Sequence, residues 1–488
     1  MVSGSGLRPG LALKAHIFLV AAAAASATGC VYFNSVYNAN ALFERGRREI
    51  EHGNEAAGRA TLDESIEKAE RVVENKPHSR WADDAQRLIA YARVLREEWP
   101  EAAEASVKLL EMVHSARDSA EAAGFLGMAE VRLGNSAQAD SLLTAALEED
   151  WNERLHASLF YSRGLARIGL GQLSSADDDF RASSAIDREW VAPRLARARE
   201  LVMAGRYQEA GFELTQVFKL TLERDEEDEL YQAVQHVAAA DPEVGRVALL
   251  KVEVAGLSVG MTARFVKLRG DLDVDVGRIV DAERDYRLAA EIAPQSRTAV
   301  DAYLALVDLK LARAITLADL EDAYAVLRDA RQLNFGTRIA TVAELIELIR
   351  RLEYFVERGE VGYLAAAEVA WEDLESLGLA RHLYLTYVEE QPDGLWAPKA
   401  LLAALDLMDL DSSGTNGTSS IEPPAEELRR QLLENYWSSA YVQALVGEAK
   451  AEGFTYEELE QGLRQQLNSL RIQADRVLSD PRRASNRP

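Results

Sequence analysis

The sequence predicts an all-α fold, an α-solenoid built from antiparallel helix pairs. The main evidence is a recurring pattern: a glycine, an alanine five residues later, a bulky apolar residue four further on, and then a small residue. Copies of this pattern begin at Gly134, Gly171, Gly205 and Gly277. Seven positions before each of these glycines stands another small residue, namely Gly127, Gly164, Ala198 and Gly270. Helices joined by a short turn approach closely only where side chains are small, so each copy predicts one hairpin.

The remaining positions complete each predicted hairpin. The alanines are Ala139, Ala176, Ala210 and Ala282, and the bulky residues are Leu143, Phe180, Leu214 and Tyr286. We expect each bulky residue to fill the gap towards the next hairpin. A degenerate copy follows at Ala380, Tyr384, Tyr387 and Pro392. Residues 296–333 form a further predicted hairpin whose second helix is capped by Thr316 or a neighbour. About seven to nine hairpins are expected in all.

Length and charge limit the classes of function. The chain has 488 residues, 48% of them hydrophobic, and a formal net charge of -25. A single compact domain of this length would be unusual, so a repeat array or several modules are expected. Phosphate backbones and anionic lipid headgroups repel a strongly negative protein. The composition therefore argues against nucleic acid as a partner and against electrostatic membrane binding.

The N-terminal segment has the composition of an export signal. Arg8 and Lys14 precede an apolar run at 17–27, and Cys30, the only cysteine, follows it. A spanning helix needs about 20 apolar residues, and this run is about half as long. We therefore predict a signal peptide at 1–29 that is cleaved before Cys30. A single cysteine also excludes an intramolecular disulfide.

The run Ala27-Thr28-Gly29-Cys30 resembles the lipid-attachment site of bacterial lipoproteins, although that family usually has leucine in place of Ala27. The resemblance implies lipidation of Cys30. Because each buried methylene contributes about 0.8 kcal/mol, several acyl chains would hold the protein on a membrane. The alternative is an ordinary exported protein with a free thiol near its N-terminus.

The repeats themselves resemble tetratricopeptide (TPR) repeats. Together with the cysteine, an aromatic-rich first helix and the spacing of Pro77, Ser79 and Asp84-Ala85, they resemble bacterial outer-membrane lipoproteins with TPR repeats, of the general BamD type. The resemblance implies a right-handed superhelix whose first helices line a concave groove that binds peptides or neighbouring envelope proteins. Residues in that register are Met128, Arg132, Tyr161, Leu165, Arg199, Met203 and Lys267. The alternative is that the leucine and methionines among them pack between hairpins.

Composition and repeat spacing divide the chain into eight segments. They are a signal peptide (1–29), a lipidated lead-in helix (30–60), TPR-like repeats (61–220), an irregular helical insert (221–260), further TPR-like repeats (261–410), a flexible loop (411–424), C-terminal helices (425–480) and a disordered tail (481–488). In the lead-in helix, Phe33, Val36, Tyr37 and Ala41 share a face. We expect that face to pack on the first hairpin, with the lipid interface as the alternative.

No catalytic or metal site is expected. The string at 256–260 matches the elbow that holds a nucleophilic serine, here Ser258, but the surroundings read as helical, so a turn between helices is the better interpretation. A calcium-like string at 271–275 lacks its glycine and closing glutamate, and a second at 409–414 lacks its closing carboxylate. The seven histidines show no paired spacing. No cofactor is implied.

Two classes of function remain open. The first is a non-catalytic scaffold, anchored through Cys30 and facing the periplasm from the outer membrane, that holds proteins of assembly or export. The second is a carbohydrate-capturing or hydrolytic envelope lipoprotein with a helical body. A deep pocket that combines acidic and aromatic side chains would favour the second class.

Overall fold

The computed structural model describes residues 35–79, 81–333, 338–413, 423–446 and 454–479. The predicted signal peptide, Cys30, Phe33 and the tail from 481 lie outside the described residues, as does most of the loop predicted at 411–424. The described residues contain helices and turns but no strand. The all-α prediction is therefore confirmed.

Helix α1 covers 35–51 of the described residues. The other α-helices are α2 (Glu55–Asn75), α3 (Ala82–Leu95), α4 (Trp99–Met112), α5 (Ala116–Arg132), α6 (Ser136–Ala146), α7 (Glu153–Gly169), α8 (Leu173–Ile186), α9 (Ala192–Met203), α10 (Tyr207–Val217), α11 (Arg224–Ala240), α12 (Pro242–Ala248), α13 (Val259–Asp275), α14 (Ile279–Ile292), α15 (Arg297–Arg313), α16 (Leu317–Gln332), α17 (Arg338–Val356), α18 (Val361–Glu368), α19 (Leu377–Glu390), α20 (Ala397–Ser413), α21 (Ala425–Tyr436), α22 (Ala440–Val446) and α23 (Tyr456–Leu478). A 3-10 helix (Val252–Val254) precedes α13, and a π-helix (Val369–Asp373) follows α18.

The chain forms two units, Met1–Ala248 and Leu249–Pro488. Within each unit most helices pack against the helix before and the helix after them in the chain. This neighbour-to-neighbour packing is the defining property of a solenoid, so the predicted fold class is confirmed. In the described part of the chain, no helix is both long and apolar enough to cross a membrane.

The turns of the predicted hairpins share one hydrogen-bond pattern. The four pattern glycines have φ between 72° and 87°. In the turn at Gly171, the glycine N–H donates to the carbonyl of Ile168 (2.9 Å), and the N–H of Gln172 donates to that of Arg167 (2.8 Å). This pair of hydrogen bonds is the Schellman motif, in which a helix is followed by a residue in the left-handed conformation. Glycine adopts that conformation without steric cost.

Two further turns of the same kind show that the array begins at α1. Gly53 has φ 74° and Glu97 has φ 60°, and each makes the equivalent pair of hydrogen bonds. Gly46 lies seven residues before Gly53, and a Cβ atom there would lie 2.9 Å from Cγ of Leu62. Helices α1 and α2 therefore form a hairpin, where the sequence predicts a lead-in helix up to residue 60.

The small and bulky positions meet within each hairpin. A Cβ atom on Gly164 would lie 2.6 Å from Cε1 of Phe180, and one on Gly270 would lie 2.8 Å from Cε1 of Tyr286. The predicted close approach is therefore confirmed. The sequence predicts that the bulky residue fills the gap towards the next hairpin. In the structure its side chain packs against the small residue in the first helix of the same hairpin, so that prediction is incomplete.

An ion pair between an arginine and a buried carboxylate stands beside this contact in three hairpins. The residue before the small residue is arginine, and the residue before the bulky one is acidic. In α7 and α8, Arg163 Nη2 lies 2.7 Å from Asp179 Oδ1; in α13 and α14, Arg269 Nη2 lies 3.0 Å from Asp285 Oδ1. The third pair joins Arg197 to Glu213. Each of these ion pairs links the first helix of a hairpin to the second.

The buried face of α1 differs from the predicted one. Val36 is buried, but Tyr37 and Ala41 are exposed. The face that packs into the core carries Val36, Ala39 and Phe43, which are at most 9% exposed. The prediction that this helix packs on the repeats is confirmed, since α1 contacts α2 of its own hairpin and α3 of the next. The prediction that Tyr37 and Ala41 belong to the packed face is wrong.

The serine elbow and the first calcium-like string are helical. Ser258 caps α13 by accepting a hydrogen bond from the N–H of Met261, and a 3-10 helix rather than a strand precedes it. Asp271 lies on α13, where its carboxylate accepts hydrogen bonds from Lys267 and from the Tyr286 hydroxyl. The turn interpretation of Ser258 is confirmed. Thr316 caps α16, as predicted, in a reciprocal arrangement with Asp319.

Replacing Glu97 with glycine should stabilise the protein. The left-handed conformation costs a non-glycine residue about 1–2 kcal/mol, and the greater freedom of glycine in the unfolded chain offsets part of that gain. We expect a net gain of about 0.5–1 kcal/mol in urea unfolding followed by circular dichroism. The matched control, Gly171→Ala, should lose about 1 kcal/mol. A destabilised Glu97→Gly variant would contradict this account of the turn.

A side chain at Gly164 should clash with Phe180. We expect Gly164→Val to lower the free energy of unfolding by about 2–3 kcal/mol, because the packed ring cannot move away without strain. In the double variant with Phe180→Ala, the two losses should sum to less than their separate values. Gly462→Val is the control, since a Cβ atom at Gly462 meets nothing within 4 Å. Strict additivity would argue against the contact.

Removing one partner of a buried ion pair should cost more than removing a surface pair. Asp285 is fully buried (0% exposed). We expect Asp285→Asn to lower the free energy of unfolding by about 3 kcal/mol, because the Arg269 charge loses its buried partner. Glu427→Gln, which removes an exposed ion pair with Arg430, should leave unfolding unchanged. Equal effects of the two changes would refute a structural role for the buried pair.

Candidate partner-binding surface

The first helices of the hairpins in unit 1 form one layer. Helix α3 contacts α5, α5 contacts α7, and α9 contacts α11, whereas α4, α6 and α8 contact mainly the first helices on either side. A two-layer stack curves towards the layer whose helices are closer together. The first helices therefore form the inner layer of unit 1. We call its solvent-facing side the inner face.

Three of the predicted groove residues converge on the inner face. Tyr161 of α7 is half-buried, and Arg132 of α5 and Arg199 of α9 are exposed beside it. Burial raises the pKa of the Tyr161 hydroxyl, and the two nearby guanidinium groups oppose that rise. Repulsion from the Glu229 carboxylate of α11 also raises the pKa of this hydroxyl. Two cations near one tyrosine hydroxyl are an arrangement suited to a carboxylate or a polar peptide segment.

Aromatic contacts hold this cluster in place. The ring of Tyr161 lies 4.9 Å from that of Trp190 in an edge-to-face arrangement, and it packs on the core around Phe180. The guanidinium of Arg132 lies over the ring of Trp99, 5.4 Å from its centre. Such contacts restrict the side-chain rotamers. Tyr161 and Arg132 are therefore held in place by the protein's own side chains.

The other predicted groove residues have different surroundings. Met203, at the end of α9, is 67% exposed, and Leu165 is half-buried against the core around Phe180. Met128 is 6% exposed and lies in the core. Lys267 belongs to unit 2, where its amino group lies 2.8 Å from the Asp271 carboxylate. The assignment of all seven residues to partner binding stays a prediction.

Near the first two hairpins, ion pairs and stacked aromatic rings cover part of the inner face. Glu51 of α1 forms ion pairs with Arg47 (2.5 Å) and with Arg154 of α7 (3.2 Å). Beneath them Tyr91 of α3 stacks on Phe125 at 4.7 Å between ring centres. Burial raises the pKa of Tyr91 to about 12. This part of the inner face is therefore filled by the protein's own side chains.

A hollow of about 210 Å³ opens beside this filled region. Helix α1 and the start of α3 form its walls, with the lining residues Val36, Tyr37, Asn40, Trp81, Asp84, Arg87 and Leu88. Arg87 Nη1 lies 3.6 Å from Glu121 of α5, and Arg87 Nη2 lies 3.5 Å from Asp84. The hollow combines aromatic, acidic and basic groups, and none of its residues was predicted from the sequence as a partner-binding residue.

A positional signal for this hollow exists in the sequence. Asn40, Asp84 and Glu121 each stand six residues before the small residue of their first helix, which is Gly46, Ala90 or Gly127. This spacing is hard to recognise from the sequence, because the first two hairpins depart from the repeat pattern of turn glycine and alanine. Glu97 occupies the turn position of the second hairpin, and Gly58 replaces the alanine of the first.

The described residues contain no cluster of three or more histidine, cysteine, aspartate or glutamate side chains that could hold a metal ion. The second calcium-like string begins at Asp409 on α20, and its remaining positions lie at or beyond the limit of the side chains that are described. Within that range, the charged side chains of the inner face are arranged in pairs with arginine rather than around a common centre.

These features define a class of protein: an all-α solenoid of TPR-like hairpins with a charged and aromatic inner face. Solved structures of the same general type are similar to it. RapI in its apo form is 13% identical with a TM-score of 0.35, over 77% of this chain and 99% of RapI. PilW, a type IV pilus biogenesis factor, is 15% identical with a TM-score of 0.34, over 54% and 96%.

A tetratricopeptide repeat protein from Parabacteroides merdae is 16% identical with a TM-score of 0.28, over 64% of this chain and 98% of that protein. No family model matches the sequence, and no curated protein matches it either. Identities and TM-scores this low carry no argument about function. The fold assignment rests on the hairpins themselves.

Proposed function

We propose that this protein is a non-catalytic scaffold of the bacterial envelope that binds a partner polypeptide on the inner face of unit 1. The observation that carries the proposal is the cluster of Arg132, Tyr161 and Arg199, because three different hairpins supply its members. Solvent-exposed cations beside a half-buried aromatic ring are typical of binding surfaces, in which arginine and tyrosine are enriched.

The energetic basis for binding is the prior ordering of the site. The side chains lie on the rigid helices α5, α7 and α9, and aromatic contacts restrict Tyr161 and Arg132. A partner therefore loses its own conformational entropy on binding but does not have to order the site. Met203 adds an exposed apolar side chain at the end of α9, and methionine adapts to varied partner surfaces.

The proposed location follows from the leader. A lipidated Cys30 would tether the exported solenoid to a membrane surface, and we propose the outer membrane, with the solenoid in the periplasm. Helix α1 is described from residue 35, so at most about 20 Å of chain separates it from Cys30. The first hairpin would then lie near the membrane, which suits an assembly or export scaffold.

The hollow beside α1 and α3 bears on the alternative function. It has the aromatic and acidic composition of a carbohydrate-capturing site, but its volume of about 210 Å³ is small. Pockets for small-molecule ligands typically span about 300–1,000 Å³. The scaffold function is therefore the better supported of the two.

The tether is tested by replacing Cys30 with alanine in the full-length protein. We expect the variant to move from the membrane fraction to the soluble periplasmic fraction, because no acyl chain can be attached. Circular dichroism of the released protein should match that of the wild type. A variant that stays in the membrane fraction at wild-type levels would contradict lipid tethering.

The binding surface is tested by site-specific photo-cross-linking in intact envelopes. A photoreactive amino acid at Arg199 should give discrete cross-linked products, and the same amino acid at Arg181, an exposed position on α8 of the outer layer, should not. Introducing Arg132→Glu should weaken the Arg199 products by reversing a charge of the cluster. Equal yields from both positions would refute binding on the inner face.

A further inference from the structure

We propose that unit 2 carries a binding site for an amphipathic helix of a partner protein, and that α23 occupies this site within the chain. The site, which we call the helix site, is formed by α17, α18 and the start of α20. Arg351 of α17, Glu368 of α18 and Lys399 of α20 each form an ion pair with α23. The inference does not depend on the inner face of unit 1.

Helix α23 does not follow the neighbour-to-neighbour packing of the solenoid. It packs on α17 and α18, and only lightly on α22, the helix that directly precedes it. Its hydrogen bond from Arg471 to Glu368 joins residues that are 103 positions apart in the chain. The other helices are positioned by stacking on their neighbours, whereas α23 lies on a surface that distant helices provide. It therefore packs on unit 2 as a bound ligand helix would.

The sequence of α23 specifies a helix without help from the rest of the chain. The N–H of Thr455 donates to the Glu458 carboxylate (2.9 Å), and the N–H of Glu458 donates to the Thr455 hydroxyl (3.3 Å), which is a capping box. Arg476 lies in the last turn, where the helix dipole favours a cation. With 23 residues, α23 is also longer than the limit of about 12–15 residues below which isolated helices are marginal.

The packed face of α23 is a narrow apolar stripe. Leu459, Leu463 and Leu467 follow one another at four-residue spacing, and Ala474 extends the same stripe. These four residues are at most 8% exposed, whereas most of the other side chains of α23 are exposed to solvent. An apolar stripe of this width on an otherwise polar helix is typical of helices that bind in the groove of another protein.

Ion pairs at the two ends of the stripe define the direction of the bound helix. Near its start, Lys399 Nζ lies 2.7 Å from Glu460, and near its end Arg471 Nη2 lies 2.9 Å from Glu368. The side chains of Lys399 and Arg471 are 31% and 46% exposed, so these pairs select an orientation more than they add affinity. The partner helix should therefore carry three leucines at four-residue spacing, an acidic residue directly after the first, and a basic residue four positions after the third.

The experiment uses a fluorescein-labelled synthetic peptide of residues 454–479 as the probe and the full chain as the receptor. Binding is measured by fluorescence anisotropy. The wild-type chain should bind the peptide weakly, because its own α23 fills the site most of the time. Leu463→Asp in the chain should release α23 and raise the affinity for the peptide at least about tenfold. Ile472→Asp is the matched control, since Ile472 is 54% exposed and the same change there should leave the affinity unchanged.

Hydrogen–deuterium exchange of the wild-type chain tests the same proposal without a substitution. If α23 leaves the site in a local opening, its amides should exchange faster than those of α17 and α18 under native conditions. Equal protection of the three helices would overturn the proposal, even if the Leu463→Asp variant failed to fold.

Three other results would also overturn it. One is that a folded Leu463→Asp chain binds the peptide no more tightly than the wild type. Another is that a peptide with all three leucines of the stripe replaced by alanine binds equally well. The third is that the wild-type chain is a dimer that the peptide dissociates in analytical ultracentrifugation, because the occupant would then be α23 of a second copy. Failure of the inner-face scaffold would appear separately, in the cross-linking from Arg199.

Discussion

The contact on which the structure depends is the close approach of two helices at one small residue. In the hairpin of α7 and α8, Gly164 leaves room for the ring of Phe180, and Gly270 does the same for Tyr286 in α13 and α14. Where the two helices are this close, the next hairpin can stack on a flat apolar surface, and the array can continue. A larger side chain at the small position would separate the helices and interrupt the layer.

The buried ion pairs add specificity to this packing. Arg163, Arg197 and Arg269 each precede the small residue, and their acidic partners each precede the bulky one. A buried charge is tolerated only when its partner is in place, so a shifted helix would leave an unpaired charge in the core. The pairs therefore favour one alignment of the two helices, while the apolar contacts supply most of the stabilisation.

The inner face follows from the same geometry. Because α3 contacts α5 and α5 contacts α7, side chains from successive first helices come close together on the inner face. The charges of Arg132 of α5 and Arg199 of α9 act on Tyr161 of α7, and Arg87 of α3 lies 3.6 Å from Glu121 of α5. Which side chains come together on this face therefore depends on how the hairpins stack.

The sequence by itself determined the hairpins, because a turn glycine, a small residue seven positions earlier and a bulky residue nine positions later are all local in the chain. It also indicated the helix that Thr316 caps and the turn at Ser258. It did not reveal the first hairpin, in which Gly58 replaces the expected alanine, or the buried face of α1. Only the tertiary structure decided which side chains meet on the inner face, because Asp84, Glu121 and Asn40 come from three different hairpins. Their proximity depends on how the hairpins stack, and stacking is set by packing between residues distant in sequence.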